Sequence, residues 1–339
     1  MRNRNVNRSV SVASIALGAG CLLAALPGAH AAAEGLTEIT MGTSWFAQAE
    51  HGGFYQAKAT GIYEEYGLDV TIEMGGPQVN GLQLLLAGNR DFTMGYPLRN
   101  LQKMEDDLPV VTVAASMQRD PQCLLSHPHI ESFEEMKGKD VLVASSSETT
   151  FWPWLKQEYG FTDAMREPYT FSIQPFLNDK DTIQQGYVTS EPFAIEQGGV
   201  DPNIFLFADY GYPPYATTIE TTRMMVEENP EVVRKFVQAT MEGWKSYFDN
   251  PEPGNQLIQA DNPDMSDAQI AFGIDKMQEY GLVTGGDAKE QGIGVMTHER
   301  WRRIYEFMAG ADLVDEDIDW KKAYTLKFLP DTPVLPASE

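Results

Sequence analysis

The sequence predicts an α/β protein of two lobes, each a mostly parallel sheet flanked by helices, with a ligand cleft between them. Three observations carry this reading. Short β-rich runs alternate with amphipathic helical patterns along most of the chain. Two irregular stretches, 117-MQRDPQ-122 and 208-ADYGYPPYA-216, interrupt the alternation. A basic-then-apolar leader precedes a chain longer than one typical core.

The first half of the alternation is ITMGTSW, a helix over about 52–66, LDVTIEMGG, a helix at 80-NGLQLLLAG-88, DFTMGY, a helix at 98-LRNLQKMED-106, and 109-PVVTVAASM-117. That β-α-β order favours parallel pairing with helices on both faces. In the second unit QCLLSHP, DVLVASS, YTFSIQP, YVTSEPF and NIFLFAD are read as strands. The runs 151-FWPWLKQEYG-160 and 179-DKDTIQQG-186 are read as helices. TTIETTRMMV supplies one more strand, and 230-PEVVRKFVQATMEGWKSYFDN-250 has the three-and-four apolar spacing of a helix, with Asn229 then Pro230 as its start. Two crossings make the first lobe discontinuous, with residues 37–117 and 216–330 in lobe one and 118–215 in lobe two. Such a clamshell places a small-molecule cleft between its lobes.

Residues 1–31, with Arg2, Arg4 and Arg8 before an apolar run that ends Ala29-His30-Ala31, read as a cleaved secretory signal peptide. Lipidation at Cys21 is disfavoured, because Gly18 stands where a branched apolar residue is usual. Cleavage removes three of the 25 basic residues and none of the 49 acidic ones, taking the net charge from −24 to −27. A surface so acidic argues against nucleic acid, whose phosphates demand cations. Cys123 is then the sole cysteine, which excludes an intramolecular disulfide and a cysteine-based metal cluster. Export without disulfides fits a periplasmic protein.

Motifs for nucleotide, dinucleotide, zinc-protease and serine-hydrolase chemistry are absent from the sequence. The pair in 127-HPH-129 is better explained as a turn than as a metal chelate, and 315-DEDID-319 lacks the glycine and terminal glutamate of a calcium loop. No cofactor, metal or catalytic group is expected.

Aromatic and polar residues instead gather at predicted strand ends, where open parallel sheets bind ligands. Trp45 and Phe46 follow the first strand; Gln78 and Asn80 the second; Tyr96 the third; Gln118 and Asp120 the fourth. In the second unit Ser145, Ser147 and Glu148 follow DVLVA, and Tyr187, Thr189 and Glu191 lie in YVTSEP. His51, Gly52 and Gly53 complete the rim, the glycines letting backbone approach a solute. Core packing remains open for Trp45, turn chemistry for Glu191 and helix capping for Asn80. Trp152 and Trp154 are assigned to the core, and 212-YPPY-215 to a rigid hinge.

The runs TSWFAQAEHGGFYQAKATGIYEEYGLDVTIEMGGPQVN, LLAGNRDFTMGY, FEEMKGKDVLVASSS, GYVTSEPF and NPEVVRKFVQATMEGWK resemble the substrate-binding proteins of ABC importers. The similarity is to the group that binds nitrate, sulfonates, taurine and thiamine pyrimidine precursors, over about residues 37–330. It implies a type II periplasmic-binding fold, no catalysis, a monomer, and delivery of a solute to an inner-membrane permease and its ATPase. It also implies ligand contacts at Trp45, His51 to Gly53, Gln78 to Asn80, Tyr96, Ser145 to Glu148 and Tyr187 to Glu191. A pyrimidine synthase shares the fold, but its cysteine-rich motif is lacking here. Arg119 is the one basic cleft candidate against Asp120, Glu148 and Glu191, so a neutral or cationic nitrogen heterocycle is expected ahead of a sulfonate, taurine or nitrate anion.

Overall fold

The computed structural model describes residues 35–337, so the signal-peptide reading and Cys21 lie outside the described residues. Ten strands form two five-stranded sheets. The first contains β1 (Thr37–Gly42), β2 (Leu68–Glu73), β3 (Phe92–Gly95), β4 (Val110–Met117) and β10 (Ala216–Thr222), in the order β2-β1-β3-β10-β4. The second contains β5 (Gln122–Ser126), β6 (Val141–Val143), β7 (Arg166–Pro168), β8 (Ile183–Tyr187) and β9 (Asn203–Leu206), in the order β7-β6-β8-β5-β9. Each sheet has one reversed strand: β10 runs antiparallel to both β3 and β4, and β5 to both β8 and β9. The reversed strands are the ones that enter each sheet from a crossing, so the chain's return fixes their direction.

The long helix Pro230–Asp249 buries Val233, Phe236, Val237, Thr240, Met241, Trp244 and Tyr247 along one stripe, as its period requires. It starts without an Asn229 side-chain cap; the Asn229 carbonyl takes the first bonds from Val232 and Val233. The predicted helix over 52–66 is two helices, Gly52–Ala59 and Ile62–Glu65, broken where Gly61 adopts a left-handed φ of 77°.

Two second-unit assignments are corrected. YTFSIQP is not a strand: β7 ends before it, and Gln174–Asn178 is helical. DKDTIQQG is not a helix but leads into β8, while Glu191–Gln197 within and beyond YVTSEPF is helical. The physical reason is that β8 is buried on both faces yet carries Gln184 and Gln185. Gln185 Oε1 accepts from the Ala144 N–H at 2.6 Å and Gln184 Nε2 donates to Tyr169 Oη at 3.4 Å, so polar side chains are held inside the strand and it shows no apolar alternation.

Trp152 and Trp154 are buried with Phe133, Phe151 and Trp301 in one apolar core. Asn100 Nδ2, reaching Thr112 Oγ1 and the Ala323 carbonyl at 2.7 Å each, ties the C-terminal segment to the first sheet.

Candidate functional site

The segment after β1 is anchored from three sides. Gly75 N–H donates to the Trp45 carbonyl at 3.2 Å, and a side chain at Gly75 would collide with the Thr43 to Trp45 backbone. Asn262 Nδ2 donates to the Ala47 carbonyl at 2.8 Å. A Cβ on Gly52 would lie 2.1 Å from the Tyr247 ring, and one on Gly53 2.3 Å from that of Trp244. The close approach these glycines permit is therefore to the chain's own long helix. That packing replaces the expectation that their backbone opens toward a solute.

Glu50 and His51 are almost fully buried, at 4% and 1% exposure. The Glu50 carboxylate accepts a hydrogen bond from Thr189 Oγ1, which joins lobe one to lobe two. Burial pushes its pKa up to about 7, partly opposed by that bond, with Glu191 adding to the rise. Burial also lowers His51 to about 3, and His51 Nδ1 has no hydrogen-bond partner. Around Gln48–Glu50, Thr189, Ser190, Met265 and Gln269 the lobes meet with no room for a water molecule.

Beside this contact, two aromatic rings meet across the lobes. Trp45 lies 5.1 Å from Phe171, centroid to centroid, at a 40° tilt. Phe46 packs edge-on against Trp45 at 5.5 Å, and Tyr169 stands 5.1 Å from Phe171. Tyr169 Oη donates to Glu191 Oε1 at 3.2 Å, while Glu191 Oε2 accepts the Tyr187 N–H at 2.8 Å. Burial raises the Glu191 pKa despite these donors.

Tyr96 and Asp120 lie at the crossings and adjoin this cluster, since Gln122 pairs with Tyr187 across β5 and β8 and Asp120 is near enough to act on the Tyr187 hydroxyl. Tyr96 Oη donates to Asp120 Oδ2 and lies 3.1 Å from Tyr212 Oη. Gln122 supplies its backbone N–H to Asp120 Oδ1 at 2.9 Å and its amide to Oδ2 at 3.1 Å. Burial pushes Asp120 up to about 6, opposed by these donors. Arg119 bridges the crossings through Asp209 and the Tyr280 carbonyl. Arg300 holds the Pro213 carbonyl at 2.8 Å and sits 4.4 Å over the Tyr215 ring.

The remaining predicted site residues scatter. Gln118 is buried but spends its amide on the Ala115 and Val295 carbonyls. Gln78 is exposed in a turn, and Asn80 Oδ1 caps the helix Gly81–Leu86 by accepting the Gln83 N–H. Ser145 is exposed, Ser147 buried, and Glu148 forms a surface ion pair with Arg166 at 3.2 Å. His127 is buried on the Phe176 carbonyl, away from any chelate. The structure thus brings together Trp45, Tyr187 and Glu191, with His51 buried alongside Glu50 but in no side-chain hydrogen bond with them, and adds Glu50, Tyr169 and Phe171, which sequence reasoning passed over. A concavity of about 430 Å³, lined by Glu105, Ala309 and residues 312–316, lies at the far end of the helix Pro97–Glu105 from Tyr96.

Two sheets each with one reversed strand, joined by two crossings and meeting at aromatic rims, define a two-lobed α/β protein. The chain belongs to the NMT1/THI5 like family, whose profile matches residues 48–253, more than half of its length. It is similar to the riboflavin-binding protein RibY of Chloroflexus aurantiacus, with 24% identity over 305 residues covering 87% of each chain. It is also similar to the formylaminopyrimidine-binding protein of Halalkalibacterium halodurans, with 22% identity, 86% of this chain and 91% of that protein. Among solved structures, the periplasmic aliphatic sulphonate binding protein SsuA of Escherichia coli superposes with a TM-score of 0.66 at 14% identity, covering 89% of this chain and 94% of that one. That likeness establishes the periplasmic-binding-protein fold. No helix among the described residues is long and apolar enough to cross a membrane.

Proposed function

We propose that this protein is the periplasmic solute-binding component of an ABC importer and that its solute is a flat nitrogen heterocycle, of the pyrimidine or flavin kind. The observation that carries the reading is the composition of the rim where the lobes meet. Trp45 offers a ring face, and the nearby carboxylates are Glu50, buried, and Glu191, half-buried, neither of them in an ion pair among the described residues. Buried carboxylates accept hydrogen bonds from ring N–H and amino groups, and ring faces stack on flat solutes. The two relatives whose names carry a heterocycle, a flavin and a formylaminopyrimidine, support the same class.

The same residues are read as binding without turnover. His51 is held neutral by burial and has no acidic or nucleophilic side chain bonded to it, so nothing there is arranged to activate a nucleophile. A relative named as a pyrimidine phosphate synthase, at 18% identity, makes the point worth testing directly.

A second reading, a sulfonate- or nitrate-type anion, is favoured by Arg99. This exposed guanidinium on the helix Pro97–Glu105 is close enough to Tyr187 to act on its hydroxyl. Thermal-shift measurements with riboflavin, 4-amino-5-hydroxymethyl-2-methylpyrimidine, taurine, an alkanesulfonate and nitrate separate the two. A heterocycle at a hundred times its dissociation constant is expected to add about 2.7 kcal/mol of stability. Stabilisation by the anions alone would overturn the first reading, and recovery of a chemically altered solute would overturn the absence of catalysis.

A further inference from the structure

We propose that Phe171 is a stand-in for the solute's ring, resting on the face of Trp45 that a flat solute takes and yielding it only to another flat ring, which makes Phe171 a specificity-determining residue. The inference rests on the proposed heterocycle site and adds the device that selects for it. Four observations carry it.

The first is distance. A ring inserted between Trp45 and Phe171 needs two van der Waals contacts, roughly 7 Å between the flanking rings, whereas they stand 5.1 Å apart. Nothing flat enters while both stay in place. The second is anchorage. Trp45 is fixed through its backbone by Thr43 and Gly75, whereas Phe171 is 54% exposed in the short connection between β7 and the helix Gln174–Asn178. Of the two rings, Phe171 is the one free to leave.

The third is conformation. Phe171 has φ of 61°, in the left-handed region that a bulky side chain rarely occupies. The contact with Trp45 offsets that strain, and a withdrawal in which the loop backbone turns Phe171 out of the left-handed region relieves it. Displacement by a solute therefore loses one ring contact, regains another and frees the backbone. A tetrahedral sulfonate regains no such contact, so it displaces Phe171 poorly. The fourth is that the lobes are joined independently, through Thr189 and Glu50, so Phe171 can withdraw while the rim stays closed.

The experiment has a solute-free part and a binding part. In protein carrying 5-fluorotryptophan, the Trp45 ¹⁹F resonance, assigned by its loss in Trp45→Phe, is expected to move in Phe171→Gly and to stay in Phe171→Tyr. An unmoved resonance in Phe171→Gly overturns the contact and with it the proposal. In titrations with riboflavin and with 4-amino-5-hydroxymethyl-2-methylpyrimidine, Phe171→Gly is expected to bind about threefold to tenfold more tightly than the natural chain, with Phe171→Tyr unchanged. Weaker binding by Phe171→Gly would make Phe171 a wall of the site and overturn the proposal. If neither compound binds any variant while taurine does, the heterocycle reading fails; a resonance that still moves then leaves the Trp45–Phe171 contact established but removes its role in selecting flat solutes.

Discussion

The two rims that meet at the cleft are built in opposite ways. The lobe-one rim, from Trp45 to Gly53, is an extension of the core: glycines at 52 and 53 seat it on Tyr247 and Trp244, and Gly243 returns the fit by lying against the Gly53 carbonyl. The lobe-two rim consists of an exposed loop with a left-handed Phe171, followed by the Thr189–Glu191 turn. One side is seated on the core, and the other carries the exposed, left-handed ring whose withdrawal is proposed above. A bilobal binder needs both, because a rigid face sets which solute is read and a yielding face lets it enter and leave.

The largest expected effect breaks the fixed side. Gly53→Ala drives a methyl to within 2.3 Å of the Trp244 ring, with no flexible end to give way. A loss of about 3 kcal/mol is expected in denaturant unfolding. Phe171→Gly on the yielding side is expected to change stability by less than about 1 kcal/mol, since strain relief and lost ring contact oppose. Equal losses would erase the contrast between the rims.

Next comes the acid between them. Glu50 titrates at about 7 in the folded chain against an ordinary value of 4.5. The folded state thus holds the proton more tightly, and stability falls as pH rises from about 4.5 to 7. His51, lowered to about 3 from 6.5, acts oppositely, losing stability as pH falls from 6.5 toward 3. In the overlap the two neighbours largely cancel. Glu50→Gln removes one of them, so its stability relative to the natural chain should rise by about 2–3 kcal/mol between pH 4.5 and 7. Below pH 6.5 the His51 loss should become visible in its melting curve. A constant difference across that range would place Glu50 in water.

Tyr96→Phe tests the crossings. It removes the hydroxyl shared by Asp120, Tyr212 and Gln122, and a cost of about 2 kcal/mol is expected from the buried carboxylate it leaves short of a donor. Glu148→Gln gives the smallest effect. Its ion pair with Arg166 is solvent-exposed, so less than about 0.5 kcal/mol and no change in solute affinity are expected.

Much of the fold was legible because β1 to β4 and β10 announce themselves by apolar, β-branched runs between helical patterns. The crossings were legible because Pro121, Pro213 and Pro214 interrupt both patterns. The second sheet was less so: Gln184 and Gln185 hide a buried strand behind polar side chains. Of the candidate site proposed above, Trp45 and Glu191 stand at element ends where a sequence reading looks for ligand contacts. Glu50 was passed over since an acid beside His51 and Gly52 reads as a solvated helix start, and only the packed helix Asp267–Glu279 and Thr189 explain its burial. Phe171 was hidden by the strand assigned to YTFSIQP; a left-handed aromatic leaves no mark on composition or period.

The most direct test is calorimetric titration of the natural chain and Trp45→Ala with riboflavin, 4-amino-5-hydroxymethyl-2-methylpyrimidine and taurine. One heterocycle is expected to bind one to one and to lose at least tenfold in affinity, about 1.4 kcal/mol, when Trp45 is removed. Binding of taurine with both heterocycles silent, or heterocycle binding indifferent to Trp45→Ala, would contradict a site built on that ring.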